Sequence, residues 1–244
     1  MIKIIFGLVF AALGMMGSWA ASGATPLEDL QAALLKEIRT DTDETRGYTG
    51  RAELHETTMS AMAAVPRHEF VDNYGLESAY ANRPLPIGHG QTISQPFIVA
   101  LMTDLLDPQP EHVVLEIGTG SGYQAAVLSL LVKHVYTIEI IPELATVAAS
   151  RLAAKGYDNI SVKAGDGYFG WPEAEPFDGI IVTAVGPDIP PALVEQLRVG
   201  GNMVIPVGTP RAAQNLTVVT KLQNGGYTAK EVLPVAFVPL TGDH

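Results

Sequence analysis

Gly118, Gly120 and Gly122 stand at alternate positions behind the run Val113-Val114-Leu115-Glu116-Ile117, with Thr119 and Ser121 in the gaps and Tyr123 after them. The apolar and β-branched residues before the glycines, and the apolar stretch Ala125 to Val132 after them, predict strand, glycine loop and helix. Glycine has no Cβ and takes positive φ, so such a loop admits a ligand to the backbone where any side chain would hold it off. Glu139 ends the next predicted strand, 21 residues after Gly118, where a carboxylate can accept hydrogen bonds from both hydroxyls of a ribose. Gly165-Asp166-Gly167 follows the third, and there an aspartate can accept from an adenine amino group while the glycines leave room for the ring. Singly these are ordinary features: a structural turn, a solvated strand-end acid, an Asp-Gly turn. Their arrival at the ends of three successive strands favours a nucleoside site.

The spacing also discriminates among nucleotides. The dinucleotide fingerprint G-x-G-x-x-G wants a small residue where this chain has Tyr123. A phosphate-cradling loop needs a Lys and a Ser or Thr directly after its glycines, and here no Lys follows until Lys133.

The elements that must hold these residues alternate. Strands are expected over 113–117, 135–139, 160–164, 179–184 and 202–207, with helices from Pro142 to Lys155 and Pro191 to Leu197. That order predicts an α/β fold with a mostly parallel sheet and helices on both faces, a Rossmann-like arrangement. The end differs: Leu216 to Leu222 and Tyr227 to Leu233, around Asn224-Gly225-Gly226, predict an antiparallel hairpin, with Val235 to Leu240 as a further strand or its continuation. Upstream, Thr25-Pro26 caps a helix carrying Leu27, Leu30, Leu34 and Ile38 on one face. The polar stretch 40–50, with two glycines, is expected as a loop, and Arg51 to Val65 as a second helix stopped by Pro66. Asn73 to Gln95 is expected as a long functional loop, and a helix then starts at Pro96 and ends before Asp107-Pro108.

A length of 244 residues suits one domain, expected over 25–244, with helices and a lid in 25–110 and the cofactor-binding sheet in 111–244. The formal charge of −11 and the lack of a basic cluster argue against a nucleic-acid or anionic-membrane partner. Residues 1–24 have the pattern of a secretory signal: Lys3, an apolar run from Ile4 to Met16, and small residues for cleavage after Ala20 or Ala24. A cleaved signal implies a periplasmic or secreted protein with no stable membrane association, and cleavage after Ala20 removes one lysine and no acid, taking −11 to −12. Otherwise a cytoplasmic protein is expected. There is no cysteine, which removes disulfides, thiolate catalysis and Cys-based zinc sites. His55, His68, His112 and His134 are expected to be solvated, and no pair has metal-ligand spacing with a nearby acid.

The glycine motif, the second-strand acid and the third-strand aspartate resemble those of class I S-adenosylmethionine-dependent methyltransferases. Val65-Pro66-Arg67-His68-Glu69-Phe70-Val71, Leu85-Pro86-Ile87-Gly88-His89-Gly90-Gln91-Thr92-Ile93-Ser94-Gln95-Pro96 and Phe237-Val238-Pro239-Leu240 narrow this to a resemblance to protein-L-isoaspartate O-methyltransferases. It covers about Tyr48 to Thr241 and implies a methyltransferase sheet with its last strands rearranged. It implies methyl transfer from S-adenosyl-L-methionine to the free α-carboxylate of L-isoaspartyl residues in damaged proteins or peptides, whose esters then close to a succinimide and hydrolyse in part to aspartate. Ser94 is then the catalytic-site residue, donating a hydrogen bond that places the substrate carboxylate; its position also suits an N-cap for the helix at Pro96. The cofactor would be met by Gln91, Thr92, Ile93 and Ser94, by Glu116, Gly118, Thr119, Gly120 and Gly122 of the glycine motif, by Glu139, Asp166 and Gly167, and by Thr241. His89 would lie in a loop near the substrate, while Gln214 and Leu216 also fit the family pattern or serve the core. Asn82 stands where relatives often have Asp, and Ala236 where many bacterial members have Arg. A monomer without metal is expected. The rival readings are a methyltransferase of a small carboxylic acid, a non-enzymatic exported binding protein on the same scaffold and, weakest, an NAD oxidoreductase.

Overall fold

The computed structural model describes residues 26–209 and 213–242; the expected signal segment 1–24 and the Thr25 cap lie outside them. Strands β3 (Val113–Ile117), β4 (His134–Glu139), β5 (Ile160–Ala164), β6 (Phe177–Val182), β7 (Leu197–Gly208), β8 (Gln214–Lys221) and β9 (Tyr227–Val235) form one sheet in the order β5-β4-β3-β6-β7-β8-β9. The first five pair in parallel and the last two are added antiparallel. The chain therefore leaves β3 towards β4 on one side and returns to β6 on the other. In a sheet of this kind the crevice opens at such a reversal, past the carboxyl ends of the strands.

Two cores flank the sheet. Leu115 and Ile117 turn to the face where Phe177, Ile180, Val182 and Leu193 of helix α7 (Pro191–Gln196) are buried. Val114 turns to the opposite face, packed with helices α4 (Pro96–Leu106), α5 (Tyr123–Ser129) and α6 (Pro142–Ala154). Strand alternation thus sends Glu116, the neighbour of Leu115 and Ile117, to the helical face as well, and there it is fully buried.

The N-terminal part differs most from expectation. Helix α1 spans Pro26–Thr49 without a break, so 40–50 is not a loop. Its buried face continues from Leu34 and Ile38 into Thr42 and Thr49, whose methyls pack inward while the hydroxyls bond to Ile38 and Thr45 carbonyls one turn back. Gly47 sits on the solvent face, and Gly50, at φ +71, ends the helix in the left-handed conformation. Helix α2 is shorter than expected, Glu56–Ala64. Its start is fixed by a buried acid from elsewhere: Asp104 on α4 accepts from the His55 N–H at 2.7 Å and the Thr58 hydroxyl at 3.3 Å.

Segment 73–95 is not a plain loop. It holds the one-turn helix α3 (Leu76–Ala79) and a hairpin of β1 (Leu85–Gly88) and β2 (Gln91–Ile93). Gly88, His89 and Gly90 all have positive φ at its tip, which places His89 in solvent. At the other end of the chain β9 runs on to Val235, and 236–240 adds no further strand beyond an isolated bridge of Pro239 to Val185. That segment turns back onto the loop after β6, through Val185 N–H to Val238 O at 2.8 Å and Leu240 N–H to Val185 O at 2.8 Å. Buried Gln214 holds it there, accepting from the Phe237 N–H at 2.6 Å.

Candidate active site

A cleft opens at the carboxyl ends of β3 and β4, where a sheet of this kind places its ligands. Gly118 and Gly120 of the glycine loop line it together with Glu139, Gly167, Gln91, Thr92 and Thr241. Ile117, Ile138 and Ile140 supply apolar walls. Seven of the residues singled out in the sequence thus meet at one place.

The glycine loop is built tightly. Gly118, at φ +95, donates to the Ile138 carbonyl at 2.8 Å, and Gly122 closes the turn onto the Thr119 carbonyl at 2.8 Å. Glu139 is buried; one carboxylate oxygen accepts the Gly120 N–H at 2.8 Å and the other the Ile141 N–H at 3.1 Å. These bonds fix the carboxylate at the cleft's edge and leave each oxygen a further lone pair for a ligand hydroxyl.

The remaining candidates sit off the cleft. Gly122 faces Leu152 of α6 at the start of α5, where a Cβ would meet that side chain at 3.3 Å. Asp166 accepts the Tyr168 N–H at 2.9 Å and so starts the short turn Gly167–Phe169. Thr119 is buried, sharing a 2.7 Å hydrogen bond with the Thr137 hydroxyl. Glu116 lies beneath the loop, accepting from the same Thr137 through one oxygen, while its Oε1 has no partner. Burial pushes its carboxyl up to about 8, opposed by the Thr137 bond and reinforced by the Glu139 charge. Two acids on the adjacent strands β3 and β4 thus differ in role: Glu139 faces the cleft and Glu116 the core.

A groove adjoins the cleft, lined by Ser94, Gln95, Ile98 and the chain from Pro234 to Val238. A smaller hollow, lined by Ile93, Ser94 and the glycine loop, lies between them. Thr92 and Thr183 line all three spaces, so the cleft and the groove meet at these two threonines. Thr183 was not among the sequence candidates. It directly follows β6, the strand that pairs with β3 at the reversal, and its hydroxyl donates to Ile117 and Gly118 carbonyls at 3.0 and 2.8 Å. The rule that ligands gather past strand ends would have found it; the identity of β3's neighbour was the missing fact.

Ser94 does not cap α4. The cap position is Gln95, without a side-chain bond, and the Phe97 N–H is met at 3.0 Å by Asn82 instead. The Asn82 amide also donates to Asp41 of α1 at 2.8 Å, which joins the hairpin arm, α1 and the start of α4. Ala236 lines the groove and leaves it without a charge at that point. Of the histidines expected to be solvated, His55 is exposed and lies 3.0 Å from Asp104, while the half-buried His68 and His134 are bonded to Tyr80 at 2.8 Å and Ser161 at 3.0 Å.

Comparison with known proteins gives one answer. The family model for protein-L-isoaspartate(D-aspartate) O-methyltransferase matches residues 47–244. Protein-L-isoaspartate O-methyltransferase 2 of Syntrophobacter fumaroxidans (strain DSM 10017 / MPOB) is 52% identical over 238 residues, covering 97% of this chain and 96% of that protein. Its namesake in Polaromonas sp. (strain JS666 / ATCC BAA-500) is 56% identical over 209 residues, 86% of this chain and 99% of that one. A solved structure of a putative protein-L-isoaspartate O-methyltransferase from Plasmodium falciparum, in complex with S-adenosyl-L-homocysteine, shares the fold with a TM-score of 0.70 at 23% identity, over 86% of this chain and 98% of that chain.

Proposed function

Because this chain belongs to the protein-L-isoaspartate(D-aspartate) O-methyltransferase family, we propose that Ser94 and the groove beside it receive the isoaspartyl carboxylate, and that the reaction takes place outside the cytoplasm. The activity is transfer of a methyl group from S-adenosylmethionine to isoaspartyl residues of damaged proteins, the first step of their repair. The observation that carries the site reading is the meeting of cleft and groove at Thr92 and Thr183.

The residues present fit this cofactor. A cradle of backbone without Cβ atoms, a buried carboxylate with free lone pairs and apolar isoleucine walls suit a nucleoside. S-adenosylmethionine supplies a methyl group on a positively charged sulfur. The chain's part is placement. A substrate carboxylate is already anionic at neutral pH, so no side chain has to remove a proton from it. The Ser94 hydroxyl donates a hydrogen bond to one carboxylate oxygen and leaves the other facing the Thr92 and Thr183 junction. Holding two reactants aligned in a site closed to water can supply effective molarities of about 10⁵ M or more. The hairpin β1–β2, which lines the cleft through Gln91 and Thr92, excludes water. The reading includes a monomer and, at a net charge of −11, no nucleic-acid partner.

Incubation with methyl-labelled S-adenosylmethionine and matched isoaspartyl and aspartyl peptides is expected to label the first only. Equal labelling of both, or label on a simple dicarboxylic acid instead, rejects the substrate assignment; cofactor bound by calorimetry with nothing methylated points to a binding protein. The location rests on the signal-like pattern of residues 1–24. A fusion of residues 1–30 to a reporter active only outside the cytoplasm is expected to be active, and a silent reporter assigns the enzyme to the cytoplasm.

A further inference from the structure

Arg67 is fully buried, a rare state for an arginine, and among the described residues no carboxylate pairs with it. Three main-chain carbonyls receive its guanidinium. Nε donates to Ala79 O at 2.9 Å, Nη1 to Ser94 O at 3.0 Å and Nη2 to Arg83 O at 3.0 Å. Its Cζ lies over the Tyr123 ring, 5.5 Å from the centroid. Burial lowers its pKa to about 10, so it stays charged at neutral pH.

The three carbonyls mark the end of α3, the entry to β1 and the exit from β2. One planar fork therefore fixes the whole hairpin arm against the glycine-loop helix that begins at Tyr123. The Ser94 carbonyl carries a second consequence. A trans peptide is planar, so with Ser94 C=O aimed at the guanidinium, the Gln95 N–H points the opposite way. Gln95 is a lining residue of the groove, and no ionisable side chain lines that groove at all. An anionic substrate there meets no cation of the groove's own, while an uncompensated buried cation stands behind the Ser94–Gln95 peptide. In a low-dielectric interior such a charge polarises the peptide and reaches further than it would in water.

We propose that Arg67 is a positioning residue for the substrate: it holds the Ser94–Gln95 peptide in place and supplies through it the positive potential that the carboxylate meets. This rests on the substrate reading of the groove, which fails separately, through an unlabelled isoaspartyl peptide with the unaltered chain. Arg67→Lys keeps the charge but offers tetrahedral donors that cannot match three coplanar carbonyls. It is expected to lower kcat/KM for isoaspartyl peptide roughly 10- to 50-fold, below the 100-fold that a full 1 Å displacement can cost. S-adenosylmethionine affinity by calorimetry should change by less than about twofold, a few tenths of a kcal/mol. Arg67→Gln loses the charge too and is expected to raise KM further. Should either variant fold poorly, the unaltered chain still decides: the ¹⁵Nε–H signal of Arg67 should shift on adding isoaspartyl peptide and not on adding the aspartyl form. An unchanged kcat/KM, a cofactor affinity that falls in step with kcat/KM, or an Arg67 signal indifferent to isoaspartyl peptide overturns the proposal.

Discussion

Gly118→Ala is expected to weaken S-adenosylmethionine binding by about 100-fold or more, since about 2.8 kcal/mol of lost loop geometry already makes that factor. Two costs add. At φ +95 a residue with a Cβ is strained by about 1–2 kcal/mol. The new methyl would also lie 2.3 Å from the Thr183 hydroxyl oxygen, far inside contact distance. Thr183 cannot yield freely, because that oxygen donates to the Ile117 and Gly118 carbonyls, and swinging it out breaks both bonds. Relief would have to come from the loop itself, which lines the cleft. Calorimetric titration with S-adenosylmethionine measures the loss, and the paired variant Gly118→Ala/Thr183→Ala separates its causes. Removing the hydroxyl should relieve the clash and leave the backbone strain. Wild-type affinity in Gly118→Ala alone would show that the loop does not depend on its left-handed residue.

The same pair shows where sequence was sufficient and where it was not. Gly118, Gly120 and Glu139 were legible because strand and turn patterns are local, and β3 and β5 have the bounds their composition predicts. Thr183 was not, because its place beside Gly118 follows from β6 lying next to β3, a pairing between residues more than sixty apart. Arg67 stood inside a quoted motif, yet its partners are three main-chain carbonyls, and carbonyls carry no residue signature. The second half of α1 was hidden by threonine: Thr42 and Thr49 are polar on any hydropathy scale, but in a helix their hydroxyls bond to the preceding turn and their methyls join the core. The hairpin β1–β2 was missed for another reason. Its strands have four and three residues joined through His89 and Gly90, too short for an alternating pattern to declare itself.

Glu116 gives the largest expected dependence on pH. Its carboxyl is fully buried, receives one bond from Thr137, has one oxygen without a partner and stands near the charge of Glu139. Burial first, and Glu139 after it, raise its pKa from 4.5 to about 8. The folded chain therefore keeps a proton that the unfolded chain releases near its ordinary pKa. Stability rises with pH only where the unfolded state binds more protons; here the folded state binds more, so this group's contribution falls as pH rises from 4.5 and levels off above about 8. The fall is on the order of 5 kcal/mol across that window. Glu116→Gln imitates the protonated acid, keeps an acceptor for Thr137 and cannot ionise. Its urea midpoint should lie close to that of the unaltered chain near pH 5, exceed it increasingly up to about pH 8 and keep a constant margin beyond, with the m-value unchanged. Parallel midpoint curves for the two proteins would refute the assignment. The neutral form also has a use at the site: with Glu116 uncharged beneath the loop, the Glu139 carboxylate that faces the cleft has no like charge behind it on the neighbouring strand.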